Sequence, residues 1–260
     1  MTSLRLCFLA LFPVLLFGQT PSEFEAQVFE NAAGESLPYR ILYPLHYDQT
    51  QSYPVILFLH GSGERGEDNE KQLVHGADMF LDEANRTRFP AFVVVPQCPS
   101  GDSWNTMSSK RGKNGRKRTG KYGTEATGPL QNVLALLDEL NNSLPIDENR
   151  IYLGGLSMGG MGAFELLARE GDRFAAAFPI CGGGYPNTVK EYPKAIAMWI
   201  FHGADDSVVP AQWSRDMHAA LQKAGINSTY TEYPGVNHNS WDNVFVEPEL
   251  FSWLFSHRKN

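Results

Sequence analysis

The residues best placed for chemistry are a serine set between glycines and, further along, two aspartates and a histidine. Gly155-Leu156-Ser157-Met158-Gly159 fits the pattern G-x-S-x-G. It lies between a short apolar run, Ile151–Leu153, and a run at helical spacing, Met158–Arg169. A serine on a sharp strand-to-helix turn is lifted clear of the backbone, and bulky neighbours would clash there, hence the glycines. Gly160 and Gly162 continue the small-residue run and let the helix pack close to a sheet. A glycine-rich turn before a helix can also cradle phosphate. However, neither the G-K-[ST] ending of a phosphate loop nor the spacing G-x-G-x-x-G is present. The chemistry that fits is attack by a hydroxyl.

A hydroxyl is a weak nucleophile until a base takes its proton, and imidazole has a suitable pKa. Around such a turn the acid and then the histidine follow the serine in the chain. The histidines after Ser157 are His202, His218, His238 and His257. His218 falls within a predicted helix and His257 in a charged tail, while His202 ends a strand before the acidic pair. His238 sits in Pro-Gly-Val-Asn-His-Asn-Ser, a turn-rich segment able to swing an imidazole over the serine, and is the candidate base. The acid must fix the imidazole tautomer and stabilise the imidazolium. Asp205 and Asp206, after the strand end Phe201-His202-Gly203-Ala204, both qualify on residue type alone.

These residues need a scaffold that gathers strand ends. Short β-rich runs alternate with longer helical ones, which predicts a mostly parallel central sheet with helices on both faces. Strands are predicted at Gln27–Asn31, Tyr39–Tyr43, Val55–Leu59, Ala91–Val95, Ile151–Leu153, Ala175–Ile180, Ala197–Phe201 and Ser228–Tyr233. Helices are predicted at Asn69–Asn85, Leu130–Asn141, Met158–Arg169, Gln212–Ala224 and Glu249–Ser256. Runs such as Val55-Ile56-Leu57-Phe58-Leu59 are apolar throughout rather than alternating, which implies burial on both faces. Ligands of such sheets sit beyond the carboxyl ends of the strands, where Ser157, the acidic pair and His238 all fall.

The chain has 260 residues, 42% hydrophobic and 20% charged, which suits one sizeable α/β domain. Arg5 followed by the apolar run Leu6–Phe17 reads as a secretory signal over residues 1–19, too short to span a membrane. The expectation is a secreted or periplasmic domain over residues 20–260 with no integral membrane segment. Cys98 and Cys181 are expected as free buried thiols, although export permits a disulfide. No C-x-x-C or H-E-x-x-H supports a metal site. The net charge of −7 argues against a general nucleic-acid binder. One stretch departs from that balance: Lys110–Lys121 is strongly basic with no acid, and is expected as a solvated loop able to attract carboxylates, such as uronic acids, if it borders the site.

Five pieces, LHGSGERGEDN, VPQCP, GGLSMGG, FHGADDSVVP and GVNHNSW, run in this order from residue 59 to 241. Together they resemble secreted esterases of the α/β-hydrolase fold, the group that includes feruloyl and acetylxylan esterases and polyhydroxybutyrate depolymerase-like proteins. Dienelactone hydrolases and the phospholipase/carboxylesterase family are similar at greater distance. The resemblance implies Asp206 as the acid, through H-G-x-x-D-x-x-V-P. It implies an oxyanion hole from the backbone N–H groups of Ser62 and Met158. Trp104 and Trp241 are candidates to line the acyl or alcohol pocket, and packing would explain them equally well. The basic stretch has no counterpart in the resemblance.

The function implied is hydrolysis of a carboxylic ester through an acyl-enzyme on Ser157, needing no cofactor. The substrate expected is a small or polysaccharide-linked ester with a short acyl or hydroxycinnamoyl group. Three rivals stand beside it: a serine peptidase of the prolyl-oligopeptidase type, acyl transfer to a sugar hydroxyl, and an inactive hydrolase fold that binds glycans.

Overall fold

The computed structural model describes residues 23–112 and 115–259, so the signal expected over residues 1–19 lies outside the described residues. An opening hairpin, β1 (Glu25–Glu30) and β2 (Ser36–Leu42), leads to β3 (Tyr53–Leu59), helices α1 (Ala77–Leu81) and α2 (Glu83–Arg88), and β4 (Phe92–Pro96). A hairpin of β5 (Ser108–Gly112) and β6 (Gly115–Thr119) precedes α3 (Gly128–Ser143) and β7 (Ile146–Leu156). Then come α4 (Met158–Glu170), β8 (Ala176–Ile180), β9 (Ala197–Gly203), α5 (Gln212–Lys223), β10 (Ser228–Tyr233), α6 (Trp241–Val244) and α7 (Leu250–Phe255).

Eight strands form one sheet in the order β1-β2-β4-β3-β7-β8-β9-β10. From β4 to β10 every neighbouring pair is parallel; β2 runs antiparallel to both β1 and β4. Every residue of β3 is buried. Val55, Leu57 and Leu59 enter the core with α3, α4 and α5, whereas Ile56 and Phe58 enter the core with α1 and α7. The two-sided burial predicted from the unbroken apolar runs is therefore present, and the α/β-hydrolase expectation holds.

Three expectations need correction. The helix predicted over Asn69–Asn85 is broken into a 3-10 turn at Lys71–Leu73, then α1, then α2. Gly76 takes φ 91°, a left-handed conformation that stops the helical path and admits the Phe245 ring, and the Asp82 carboxylate caps α2 by accepting from Asn85 N–H at 2.8 Å. The strand at Ile151–Leu153 is the middle of a longer one, β7. The basic stretch is not a plain solvated loop: β5 and β6 pair antiparallel, with Lys110 opposite Lys117 and Arg111 opposite Arg116. Its base is fastened to the body. Arg118 donates to the Gly184 carbonyl at 2.7 Å, pairs with Asp216 and lies over the Trp213 ring. Tyr185 donates its hydroxyl to Thr119 O at 2.7 Å and accepts from Ser108 N–H at 3.1 Å.

The excursion that carries this hairpin is pinned to α4 by a buried carboxylate. Glu165 accepts from the Thr106 N–H at 2.7 Å, the Thr106 hydroxyl at 2.8 Å and Arg169 at 2.7 and 2.9 Å. Arg169 also donates to the carbonyl oxygens of Gly123, Thr124 and Glu125. Removing one partner of such a pair leaves the other charge uncompensated. Glu165→Ala is therefore expected to lower unfolding stability by about 3 kcal/mol in urea titrations. A loss under about 1 kcal/mol would show that the pair is ornamental to the fold.

Candidate active site

Ser157 stands between β7 and α4 with φ 53° and ψ −112°, in sparsely populated backbone territory for a residue with a side chain. Three features hold it there. The Ser157 N–H donates to Ile180 O of β8 at 2.9 Å. Its carbonyl accepts from Met161 N–H at 3.0 Å. A Cβ on Gly159 would overlap the carbonyl oxygen of Leu59, so α4 starts against the end of β3 only because that residue is glycine. The turn expected from G-x-S-x-G is thus built, and the strain falls on the serine.

His238 reaches Ser157 from the loop after β10. Its Nε2 lies 2.9 Å from Ser157 Oγ, and its Nδ1 lies 2.7 Å from Asp206 Oδ2. The carboxylate can only accept, so Nδ1 carries the proton and Nε2 is free to receive the serine proton. The two aspartates left open by residue type are separated here. The Asp206 side chain is fully buried, whereas Asp205 is exposed and donates only its backbone N–H, to Val236 O at 3.0 Å. Asn237 ties the acid loop to the histidine loop: its Oδ1 accepts from His238 N–H at 2.7 Å, Ser207 N–H at 2.9 Å and the Ser207 hydroxyl at 3.0 Å.

Asp206 is a hub for donors. Oδ1 accepts from the N–H groups of Val208 and Val209, each at 2.8 Å. Oδ2 accepts from His238 and also from His202 Nε2 at 3.1 Å. Burial alone would raise its pKa, but the two imidazoles and the Val209 N–H outweigh it and hold the carboxyl well below the usual carboxylate range. His202 is fully buried. Its Nε2 faces both Asp206 and the Val209 carbonyl at 3.0 Å, which assigns its proton to Nε2 and leaves Nδ1 to accept from the Ser214 hydroxyl at 2.7 Å. From sequence His202 is a candidate base only, not a partner of the acid. Its signal was the spacing of four residues to Asp206 after a strand end.

The Gly61–Ser62 backbone lies against the nucleophile. A Cβ on Gly61 would stand 3.7 Å from Ser157 Cβ. Ser62 opens a 3-10 turn and Met158 opens α4, so both N–H groups belong to first turns, where helical acceptors are missing. His60 orders this backbone. Its Nε2 accepts from Cys98 N–H at 2.9 Å, so Nδ1 carries the proton and donates to Gly61 O at 2.5 Å. Burial pushes the His60 pKa down to about 4, against the opposing effect of the Gly61 hydrogen bond.

The tryptophans diverge. Trp241, half-buried, stands edge-to-face with His238, ring centroids 5.5 Å apart. Trp104 is 0% exposed and packs against His60 at 5.3 Å and against α4 at Gly162. It has no surface to offer a substrate, and its pocket role is withdrawn: it supports the loop from behind. Cys98 and Cys181 are free and buried, and burial pushes the Cys98 thiol up to about 12. Among the described residues no His/Cys/Asp/Glu cluster fit for a metal is present, and no helix is long and apolar enough to cross a membrane. The arrangement can raise a serine nucleophile, accept its proton and steady the resulting cation.

Residues 119–248 match the model of the phospholipase/carboxylesterase family. Lysophospholipase-like protein 1 of Mus musculus is 24% identical over 208 residues, 77% of this chain and 85% of its own length. A thermostable esterase of known structure aligns with a TM-score of 0.81 at 35% identity, over 92% of this chain; the match spans 64% of that longer chain. A ferulic acid esterase from the anaerobic fungus Anaeromyces mucronatus shares the fold, with a TM-score of 0.61 at 16% identity over 83% of this chain and 84% of its own.

Two outcomes follow from this geometry. Asp206→Asn is expected to reduce kcat by about 10⁴-fold, because asparagine holds the wrong imidazole tautomer, while Asp205→Asn stays near wild type. The reverse order would reassign the acid. His60 takes up its second ring proton at about 4 when folded but at 6.5 when unfolded, so the unfolded state takes up that proton first as pH falls. Its contribution is fully present above pH 6.5 and is lost towards pH 4, by about 3 kcal/mol in all. Urea titrations at successive pH values should show that slope in the wild type and a shallower one in His60→Asn; equal slopes would contradict it.

Proposed function

The chain belongs to the phospholipase/carboxylesterase family of α/β-hydrolases and is a serine carboxylic-ester hydrolase, and from that premise we propose that Ser157, His238 and Asp206 are its catalytic residues. The observation that carries the proposal is the continuous path from Ser157 Oγ through His238 to the buried Asp206 carboxylate, at 2.9 and 2.7 Å. His238 Nε2 takes the serine proton as Oγ attacks the ester carbonyl. The oxyanion accepts from the N–H groups of Ser62 and Met158. Collapse breaks the bond to the alkoxy oxygen, which leaves with the proton from His238. Water, deprotonated by His238, attacks the acyl-enzyme and releases the carboxylic acid with Ser157 restored. Asp206 fixes the Nδ1–H tautomer and stabilises the imidazolium in both halves.

The substrate we propose is a short acyl or hydroxycinnamoyl ester of a carbohydrate, met outside the cytoplasm after export by residues 1–19. The sequence resemblance to feruloyl and acetylxylan esterases supports it, as does the Trp241 ring beside the base, which offers an aromatic edge to a sugar or phenolic group. With Trp104 buried, Trp241 carries that support of the two candidate tryptophans.

The test is a panel of acetyl, butyryl, feruloyl and long-chain esters on the purified protein, with Ser157→Ala as control. The variant is expected to keep its fold and lose nearly all activity, and acetyl or feruloyl esters should show the higher kcat/KM. Substantial hydrolysis by Ser157→Ala would remove the serine from the mechanism. A higher kcat/KM for long-chain esters would overturn the substrate class while leaving the mechanism intact.

A further inference from the structure

The β5–β6 hairpin takes no part in the mechanism, yet it concentrates positive charge in an acidic protein. Lys110–Lys121 holds seven lysines and arginines and no acid, in a chain of net charge −7. Lys110, Arg116 and Lys117 are exposed. Among the described residues none of these three lies within ion-pair distance of a carboxylate, whereas the next residue, Arg118, pairs with Asp216. The register sets like charge against like: Lys110 stands opposite Lys117, and Arg111 opposite Arg116. Cross-strand partners have Cβ atoms about 5 Å apart, and like charges so placed weaken a strand pair. A lone two-stranded hairpin is marginal in water even without that repulsion. This one is held by its base, through Arg118 to Gly184 O and Asp216 and through Tyr185 to Thr119 and Ser108. The fold therefore keeps a group of exposed, unneutralised cations in a fixed place.

The anchors set that place at the carboxyl edge of the sheet. Gly184 and Tyr185 lie on the connection that leaves β8, and the Ser157 N–H donates to Ile180 O at the end of the same strand. Trp213, under the Arg118 guanidinium, is in the first turn of α5 beyond β9. Its neighbour Ser214 holds His202 behind Asp206. The hairpin thus rises from the edge that carries the serine and the acid. The histidine flank has the opposite sign. From Ala224 to His257, the stretch that supplies His238 and Trp241, there is no lysine or arginine, while Asp242, Glu247 and Glu249 follow the tryptophan. Asp242 and Glu249 are exposed. An anionic chain crossing the site is repelled on that flank and attracted on the hairpin side.

Resting on the ester-hydrolase reading above, we propose that Lys110, Arg116 and Lys117 form a docking surface for a carboxylate-bearing polysaccharide, so that the ester hydrolysed is one carried on an acidic chain. Uronate groups beside the esterified sugar lie against the hairpin while the ester reaches Ser157. Strand alternation puts Lys110 and Lys117 on one face of the ribbon and Arg116 on the other, so carboxylates can be met from both sides. A polymer of spaced carboxylates fits better than a nucleic-acid duplex. The positive surface is one narrow ribbon, and the acidic remainder of the chain repels a broad, densely charged partner.

The experiment compares two acetylated polymers that differ in charge, polygalacturonate and neutral galactan. One variant combines Lys110→Thr, Arg116→Thr and Lys117→Thr, which keeps strand-forming residues and leaves Arg118 in place. Its ratio of kcat/KM, acidic polymer over neutral, is expected to fall about tenfold at low ionic strength, the combined effect of three exposed charges. A second variant, Lys110→Arg with Arg116→Lys and Lys117→Arg, keeps the charge and should keep the ratio. Raising salt from about 20 to about 200 mM should lower the ratio in the wild type more than in the threonine variant. Labelling of Ser157 by a fluorophosphonate checks that each variant retains a formed site. A ratio unchanged within about twofold in the labelled threonine variant, or an equal fall in the charge-keeping one, overturns the inference and leaves the ester-hydrolase reading standing. Binding is read separately, as retention on immobilised polygalacturonate without ester groups. Retention of the wild type and its loss in the threonine variant support the docking surface even if no ester is hydrolysed, in which case the ester-hydrolase reading alone fails. Equal retention of the two overturns the inference. Displacement of the wild type by duplex DNA at a lower charge concentration than by free polygalacturonate overturns it in favour of a nucleic-acid surface. If the threonine variant does not fold, stronger inhibition of the wild type by free polygalacturonate than by galactan, relieved by salt, supports the surface, and equal inhibition overturns it.

Discussion

At the start of α4 the helix backbone presses on the end of β3 so closely that Gly159 has no room for a Cβ beside the Leu59 carbonyl. That contact sets the rest of the site. It brings the β7–α4 turn hard against the sheet, and Ser157 absorbs the sharp change of direction at φ 53°. The next strand end shows the same pressure: Cys181, after β8, also has positive φ, and its N–H donates to Phe201 O. Two adjacent turns at the carboxyl edge of the sheet are thus forced into uncommon backbone, where strain persists only because the surrounding packing over-determines it. The immediate gain is a hydroxyl standing clear of its own chain, against the Gly61–Ser62 backbone.

The second dependency is electrostatic. Asp206 is buried and charged, an arrangement that is unfavourable unless donors surround it. Two backbone N–H groups and two imidazoles do so. Only one of those imidazoles faces Ser157. His202, anchored by Ser214, satisfies the carboxylate from the protein side. Asp206 therefore has a fixed position before His238 arrives, and Asn237 carries that order on into the histidine loop. His60 does the corresponding work on the other flank of the serine, holding Gly61 O with a proton that burial keeps on Nδ1 alone.

The sheet, the turn at Ser157 and the succession of serine, acidic pair and histidine were legible because each rests on local pattern: unbroken apolar strands, glycines about a serine, and turn residues about a histidine. What escaped depends on distant partners. Asp205 and Asp206 are alike in type and differ only in which one the fold buries. Trp104 was open to a pocket role or to packing, and it fills the space between His60 and α4. The basic stretch gave no apolar alternation, so its pairing was invisible; it is ordered by Arg118 reaching the β8–β9 connection and α5, and by Tyr185 of that connection reaching back to Thr119 and Ser108. His60 directly follows β3 and His202 lies near the end of β9, each before a glycine, a repeated signal that went unread.

The claim on which everything else turns is that a single serine, Ser157, is activated by its surroundings. The direct measurement is mass-spectrometric mapping of the adduct after the native protein reacts with a fluorophosphonate, a reagent that phosphonylates no ordinary serine hydroxyl. The account predicts one phosphonyl group per chain, found on the peptide that contains Ser157 and lost when the protein is unfolded before exposure. No adduct, or an adduct at another residue with Ser157 unmodified, would contradict it.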